Sequence, residues 1–174
     1  MKIYTKTGDN GVTSLYDGSR VQKSEQVFDV LGSLDELGSQ MGVLLTLCPG
    51  NEFLLLTQRT LLNIGSIVAT PSGNKDFLPR VTETDVSRVE SEIDNLDTKL
   101  KPLNVFLIMD GKTAASAQAH VCRTVCRRVE REMEKYGNID RTLTRFTNRL
   151  SDYFFTLARF ESEVNVSFMR CTVM

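Results

Sequence analysis

The sequence predicts an all-α protein: an antiparallel five-helix bundle (a four-helix bundle plus one) preceded by a Gly/Thr-rich N-terminal loop. Three observations predict it. Five stretches carry apolar residues at alternating spacings of three and four. Glycines, prolines and capping residues punctuate the gaps between them, and almost nothing in the chain alternates with the period of a strand. Amphipathic helices with short connections pack most simply as an antiparallel bundle.

The elements follow in order. Over residues 1–24, Gly8, Gly11 and Gly18 alternate with Thr5, Thr7, Thr13, Ser14 and Ser19 without helical period, which reads as a polar loop region. Val27, Leu31, Leu34, Met41 and Leu45 mark the first helix, with interruptions expected at Gly38 and Gly42. Leu54, Leu61 and Val68 mark the second, running to the break at Pro71-Ser72-Gly73. Thr82 followed by Asp85 reads as a capping box. It opens a third helix through Val86, Val89, Ile93, Leu96 and Leu100, closed by Pro102. Residues 105–109 form a short apolar run, a strand or a buried connection. Cys122, Val125, Val129, Met133 and Tyr136 give the fourth helix, ended by Gly137, and Leu143, Phe146, Leu150, Phe154 and Leu157 give the fifth. No repeat or low-complexity tract divides the chain. Residues 1–174 are expected to be a single domain, with 1–24 as the loop region and 25–165 as the helical bundle.

Composition excludes several classes. Hydrophobic residues make up 41% and charged residues 25% of the 174, with a formal net charge of -1. That balance calls for no nucleic acid and no membrane partner, so any basic site must be a local cluster. No apolar run approaches the ~20 residues that span a bilayer. The opening residues resemble neither a signal peptide nor a transit peptide. The expectation is a cytoplasmic protein as written, or one of the mitochondrial matrix if an N-terminal transit peptide has been removed. The four cysteines, Cys48, Cys122, Cys126 and Cys171, show no CxxC spacing and are expected to be buried small residues rather than metal or redox groups. His120 is the single histidine and builds no metal site alone. One histidine also excludes a di-iron carboxylate bundle, which needs two Glu-x-x-His pairs.

Function must be sought on the polar faces. On the fourth helix Arg123, Arg127 and Arg131 recur every four residues, almost opposite the Cys122-Val125-Val129 stripe at about 100° per residue. Arg128 flanks them, with Glu130 and Glu134 close by. Alone, such a face is most simply a solvated one with i,i+4 ion pairs. On the fifth helix Asn148 and Asp152 lie opposite the apolar stripe, and Arg145 and Arg159 share that side. Two such faces with forked guanidinium donors suit a polyphosphate. The stretch from Thr5 to Ser14 points the same way, because glycines let backbone N–H groups approach phosphate oxygens and hydroxyls can join them. It is neither a Walker A motif nor a GxGxxG. The residues alone therefore give a bundle with an anion site.

Four blocks carry a resemblance. Lys2-Ile3-Tyr4-Thr5-Lys6-Thr7-Gly8-Asp9 with Gly11 and Thr13 is similar to the amino-terminal signature of the PduO-type ATP:cob(I)alamin adenosyltransferases, and so is Val30-Leu31-Gly32-Ser33-Leu34-Asp35-Glu36-Leu37. Residues 123–131 resemble that family's arginine helix. Asn148-Arg149-Leu150-Ser151-Asp152 with Phe154 and Ala158-Arg159 resembles its last-helix signature. The resemblance implies a homotrimer with an ATP site at each subunit interface, where the amino-terminal loop of one subunit meets the arginine helix of the next. It implies ATP contacts at Thr5, Lys6, Thr7, Gly8, Thr13, Ser14, Lys23, Arg127, Arg128, Glu130, Arg131 and Asn148. It also implies a supporting salt bridge between Asp35 and Arg123, which with Arg127 form the catalytic set, and a corrinoid-binding role for Phe106.

The implied reaction transfers the 5′-deoxyadenosyl group of ATP to cob(I)alamin, giving adenosylcobalamin and triphosphate. The corrinoid's Co(I) is the nucleophile, so a chain without a Ser, Cys or His nucleophile suffices. Its task is to align the substrates and stabilise the departing triphosphate. Mg²⁺ is implied, held mainly by ATP rather than by protein ligands, and an adenosylcobalamin-dependent mutase is an implied partner. Where the family usually reads Phe-x-Leu-Pro-Gly-Gly, this chain reads Phe106-Leu107-Ile108-Met109-Asp110-Gly111. That departure keeps a second reading open, a non-catalytic ATP- or adenosylcobalamin-binding or delivery protein of the same fold.

Overall fold

A computed structural model describes residues 3, 4, 6–72, 76–104, 107–109 and 111–171, with side chains to 163. Two short strands come first, β1 (Val12–Ser14) and β2 (Arg20–Gln22). Five helices follow: α1 (Gln26–Leu47), α2 (Glu52–Val68), α3 (Glu83–Asp97), α4 (Ala114–Tyr136) and α5 (Arg141–Cys171). The expected five helices are all present. Across the bundle the packing order is α2, α1, α4, α5, α3, so α4 is flanked by α1 and α5. No helix among the described residues is long and apolar enough to cross a membrane.

Within the amino-terminal loop region lie two short strands that its composition did not signal. β1 and β2 pair antiparallel, Val12 with Gln22 and Ser14 with Arg20. Gly18, at φ 83°, closes the turn between them, where Leu15 N–H donates to Ser19 O at 2.9 Å. Leu15 is 7% exposed and joins the core, while Tyr16 N–H donates to Ala69 O at the end of α2 at 3.0 Å. The hairpin is thus docked on α2.

Helix α1 runs unbroken through Gly38 and Gly42, contrary to the interruptions expected there. Helix α2 lies beside both glycines, although neither position excludes a Cβ. Gln58 of α2 donates Nε2–H to Gly38 O at 2.9 Å, and a Cβ on Gly42 would lie 3.8 Å from the same nitrogen. The Gln58 bond and the packing of α1 against its neighbours offset the low helix propensity of glycine. On α3 the capping residues behave as expected: the Asp85 carboxylate accepts Thr82 N–H at 2.8 Å and its hydroxyl at 2.9 Å. The helix ends at Asp97, however, and not at Pro102. Leu100 belongs to a turn in which its N–H donates to Asp97 O at 3.0 Å. The run 105–109 is neither strand nor buried connection where it is described, since Ile108 is 88% and Met109 57% exposed. Val105 lies outside the described residues.

Helix α4 has both ends specified locally. Thr113 accepts Ser116 N–H at 3.0 Å, and Gly137 adopts the left-handed conformation at φ 72°, where a side chain would be strained. The core gathers around α4 and α5: Cys122, Cys126, Val129 and Met133 from one, Leu150, Tyr153, Phe154 and Leu157 from the other, all nearly inaccessible. Each Val, Leu, Phe or Met among them contributes about 1.5–3 kcal/mol by burial. That packing fixes the mutual rotation of the two helices, and so decides which of their polar residues can meet.

Candidate active site

The arginine face of α4 divides by burial. Arg127 and Arg131 are exposed, Arg123 and Arg128 half-buried. Arg128 pairs with Glu36 of α1, and Arg131 donates Nη1–H to Arg127 O at 3.0 Å. Among the described residues, the Arg127 side chain has neither hydrogen bond nor ion pair. Arg123 reaches the Met109 sulfur at 3.5 Å, and among the described residues its buried Nε has no hydrogen-bond partner. A thioether is a weak acceptor, and no carboxylate among the described residues pairs with Arg123. The Asp35 expected to supply one does not do so within the chain. Glu36 faces α4, whereas Asp35, one residue earlier, lines a groove of about 340 Å³ on the α2 side with Tyr16, Leu34, Gln58 and Leu62.

On α5, Asn148 donates Nδ2–H to Glu130 Oε1 of α4 at 2.9 Å. Its Oδ1 accepts from Arg149 Nη1 at 2.7 Å, and Arg149 Nε donates in turn to Glu90 Oε1 of α3 at 3.0 Å. Asp152 is 3.8 Å from Arg149. Its carboxyl is raised above the ordinary range by partial burial, against the lowering effect of Arg149 and Arg127. Since the side chain is still 58% exposed, that shift has little energetic weight. Two arginines expected on this side are committed elsewhere. Arg145 pairs with Glu83 of α3, and Arg159, only 6% exposed, donates to Lys101 O at 2.6 Å. Helical geometry places a residue on a side of α5 without telling which neighbour covers that side, and here it is α3. Glu36, Glu90 and Arg149 are the participants that residue type and spacing did not single out. The Glu36–Arg128 and Glu90–Arg149 contacts join residues 92 and 59 apart, too distant for any local signal.

The amino-terminal segment forms a small cradle. Lys6 holds a left-handed backbone at φ 62°, rare for a residue with a side chain, and Gly11 another at 78°. Gly11 N–H donates to Gly8 O at 3.2 Å, and Lys23 N–H to Gly11 O at 2.8 Å. The Lys23 side chain lies over Gly8, where a Cβ would come within 3.2 Å of its Cε and Nζ. Arg20 donates to Thr7 O at 3.3 Å and Val12 O at 3.5 Å, bracing the segment from the hairpin side. Thr13 is half-buried and Ser14 exposed. Nearby, hydrogen bonds from Ser19 hold the Asp17 carboxyl below its ordinary range. Thr5 and Phe106 lie outside the described residues.

The structure thus brings together Glu130 and Asn148 across α4 and α5, and Lys6, Thr7, Gly8 and Lys23 in the cradle. The hairpin beneath the cradle is bonded to the end of α2, with Ser72 N–H also within 3.5 Å of Asp17 Oδ2. The buried thiols take no part. Burial pushes Cys48 and Cys122 up to about 12 and Cys126 well above its ordinary value. His120 is half-buried with its ring 6.2 Å from that of Phe155. Chemically, the site has cationic donors and a glycine-rich cradle without a nucleophile of its own.

Comparison with known proteins accords with this geometry. The cobalamin adenosyltransferase family model matches residues 3–161. The corrinoid adenosyltransferase MMAB of Homo sapiens is 42% identical over 171 residues, covering 91% of this chain and 68% of that protein. The corrinoid adenosyltransferase of Citrobacter freundii is 40% identical over 170 residues, covering 92% and 94%. Among solved structures, a variant of the PduO-type ATP:corrinoid adenosyltransferase from Lactobacillus reuteri, complexed with cobalamin and ATP, superposes with a TM-score of 0.88. It has 29% identity, and the match covers 95% of this chain and 96% of that one. The chain belongs to the cobalamin adenosyltransferase family.

Proposed function

We infer that the protein is an ATP:corrinoid adenosyltransferase, and we propose that its ATP sites lie between the subunits of a homotrimer. The reaction transfers the 5′-deoxyadenosyl group of ATP to cob(I)alamin. The Co(I) electron pair forms the Co–C5′ bond as the C5′–O bond breaks, cobalt becomes formally Co(III), and triphosphate leaves with the electron pair of the broken bond. The observation that supports the subunit arrangement is Arg123, whose buried Nε lacks an acceptor among the described residues while its expected partner Asp35 lines the groove beside Tyr16. A second copy offering its Asp35 to Arg123 would bring its own hairpin and cradle along. That would set the donors of Lys6, Thr7, Gly8 and Lys23 opposite Arg127, Arg128 and Arg131.

In this arrangement the cradle and the guanidinium groups stabilise the negative charge that develops on the departing triphosphate. Lys23 and Arg127 act as charge-assisted donors, and Thr13 and Ser14 add hydroxyls. Mg²⁺, bound mainly by phosphate oxygens and water, completes the neutralisation. The product goes to an adenosylcobalamin-dependent enzyme.

Two inactive variants test the site together. Arg127→Ala damages only the helix half and Lys23→Ala only the cradle half. When the two are mixed one to one and allowed to exchange subunits, about a quarter of the interfaces pair an intact cradle with an intact helix. Adenosylcobalamin formation from cob(I)alamin, ATP and Mg²⁺ under anaerobic conditions, with stoichiometric triphosphate, should return to about that fraction. No recovery, with each variant folded, would place both halves within one chain. If the wild-type protein bound ATP and corrinoid and formed no product, the delivery-protein reading, motivated by the 106–113 segment, would replace catalysis.

A further inference from the structure

We propose that Arg149 is a positioning residue for the nucleoside end of the ATP site, acting through Asn148. The inference rests on the reading of Asn148 and Glu130 as ATP contacts.

An asparagine amide is nearly symmetric in shape, so its hydrogen bonds decide which end is oxygen and which is nitrogen. Asn148 lies between two groups that leave no choice. A guanidinium only donates, and Arg149 Nη1 is 2.7 Å from Asn148 Oδ1. A carboxylate only accepts, and Glu130 Oε1 is 2.9 Å from Asn148 Nδ2. Flipping the amide would set oxygen against oxygen and donor against donor. Arg149 is itself held by Glu90 of α3, its Nε 3.0 Å from Oε1. The chain Glu90–Arg149–Asn148–Glu130 therefore crosses three helices and converts the packing of α3 on α5 into one orientation of the α5 amide toward α4.

The charges say what this end of the site receives. Glu130 and Asp152 would repel phosphate oxygens, whereas carboxylate and amide oxygens accept from hydroxyl or amino groups. The arginines and the cradle suit the triphosphate, and the Asn148–Glu130 pair suits the nucleoside. Without Arg149 the amide is held from its Nδ2 end alone, by Glu130, its Oδ1 end is no longer clamped, and nucleoside binding weakens. Glu90 and Arg149 are both part-exposed, at 46% and 41% of their side chains, so their pair adds little to stability and its loss should leave the fold intact.

The test is a set of variants assayed for adenosyl transfer, with inorganic triphosphate as a competitive probe. Arg149→Met should raise KM for ATP about tenfold with kcat within about twofold. Arg149→Lys, which keeps a donor, should raise it about threefold. Inhibition by triphosphate should be unchanged in both, because the phosphate contacts are elsewhere. In the cycle with Asn148→Ala, the double variant should be no worse than Asn148→Ala alone. Additive effects, an unchanged KM in Arg149→Met, or a matching loss of triphosphate inhibition would overturn the inference. An unchanged KM in Asn148→Ala alone would instead remove the reading of the site on which it rests.

Discussion

Replacing Arg159 by methionine separates two magnitudes that are easily confused. Breaking a buried ion pair by removing one partner typically costs about 3–5 kcal/mol, because the other charge is left buried and unpaired. Arg159 is buried, at 6% exposure, but its partners are not: Asp97 is 64% exposed at 3.5 Å, and Glu163 is 32% exposed at the same distance. Both carboxylates can regain water when the guanidinium goes. The carbonyl of Lys101, an exposed residue, can be rehydrated too. What is lost is the charge-assisted bond to that carbonyl at 2.6 Å, worth about 1.5–3 kcal/mol. Removal of the guanidinium's own desolvation penalty offsets part of this, and the methionine stem preserves most of the apolar packing. The net loss should be about 1 kcal/mol, or about 2–4 °C in Tm for a chain of this length. Urea titration followed by circular dichroism, at one fixed protein concentration, measures it. Because Arg159 serves the α3–α5 connection and not the ATP site, stabilisation by ATP should persist, at about 2.7 kcal/mol when ATP is 100-fold above its Kd. A loss above about 3 kcal/mol would mean that a charge had been stranded after all. Disappearance of the ATP effect in a folded variant would return Arg159 to the ATP site.

Two further outcomes are expected. Gly8 lies outside the left-handed region, so Gly8→Ala should fold with stability changed by no more than about 0.5 kcal/mol. The new Cβ would meet Lys23 Cε and Nζ at 3.2 Å, and the displaced ammonium should weaken ATP binding about tenfold by calorimetry; unchanged affinity would show that Lys23 takes no part. Burial pushes Cys48 and Cys122 up to about 12, whereas an unfolded thiol titrates near ~8.5. A raised folded-state pKa favours the folded state fully below the unfolded value, and that contribution is lost as pH rises from about 8.5 towards 12. Urea midpoints should accordingly fall between pH 7 and pH 10 by more in the wild type than in a Cys48→Ala, Cys122→Ala variant. Peptide-mapped alkylation at pH 8 should leave both thiols unmodified in the folded protein; labelling at the unfolded rate would contradict their burial.

What could be read in advance was local. The apolar stripes of all five helices, the capping pair Thr82 and Asp85 and the helix stop at Gly137 each act within a few residues, so spacing and residue type suffice. Strands of three residues have too little length to show alternation, and the hairpin is recognisable only once Leu15 is seen in the core and Tyr16 bonded to Ala69. The glycines of α1 look like breaks until Gln58 arrives from α2. Arg159 failed for a related reason. Its side of α5 is polar, and a polar side can face another helix as well as a ligand. The site divided the same way. Arg127, Arg131 and the cradle are legible as donor-rich text, while the Glu90–Arg149 contact joins residues 59 apart in sequence and leaves no local trace.

The distribution of satisfied and unsatisfied groups bears on why the site would need more than one chain. Where α4 meets α1 and α5, polar side chains are paired, Arg128 with Glu36 and Asn148 with Glu130, and Arg149 of α5 is in turn paired with Glu90 of α3. Elsewhere on α4, Arg127 makes no side-chain hydrogen bond or ion pair and Arg123 retains a buried Nε without an acceptor, both among the described residues. A buried, unsatisfied guanidinium nitrogen is destabilising in an isolated chain. In the proposed trimer the same deficit becomes a means of recognition, because the carboxylate that satisfies Arg123 belongs to the chain whose cradle supplies the remaining phosphate donors. Assembly and site formation would then share one set of contacts, so that an ATP site forms only where a subunit is correctly docked.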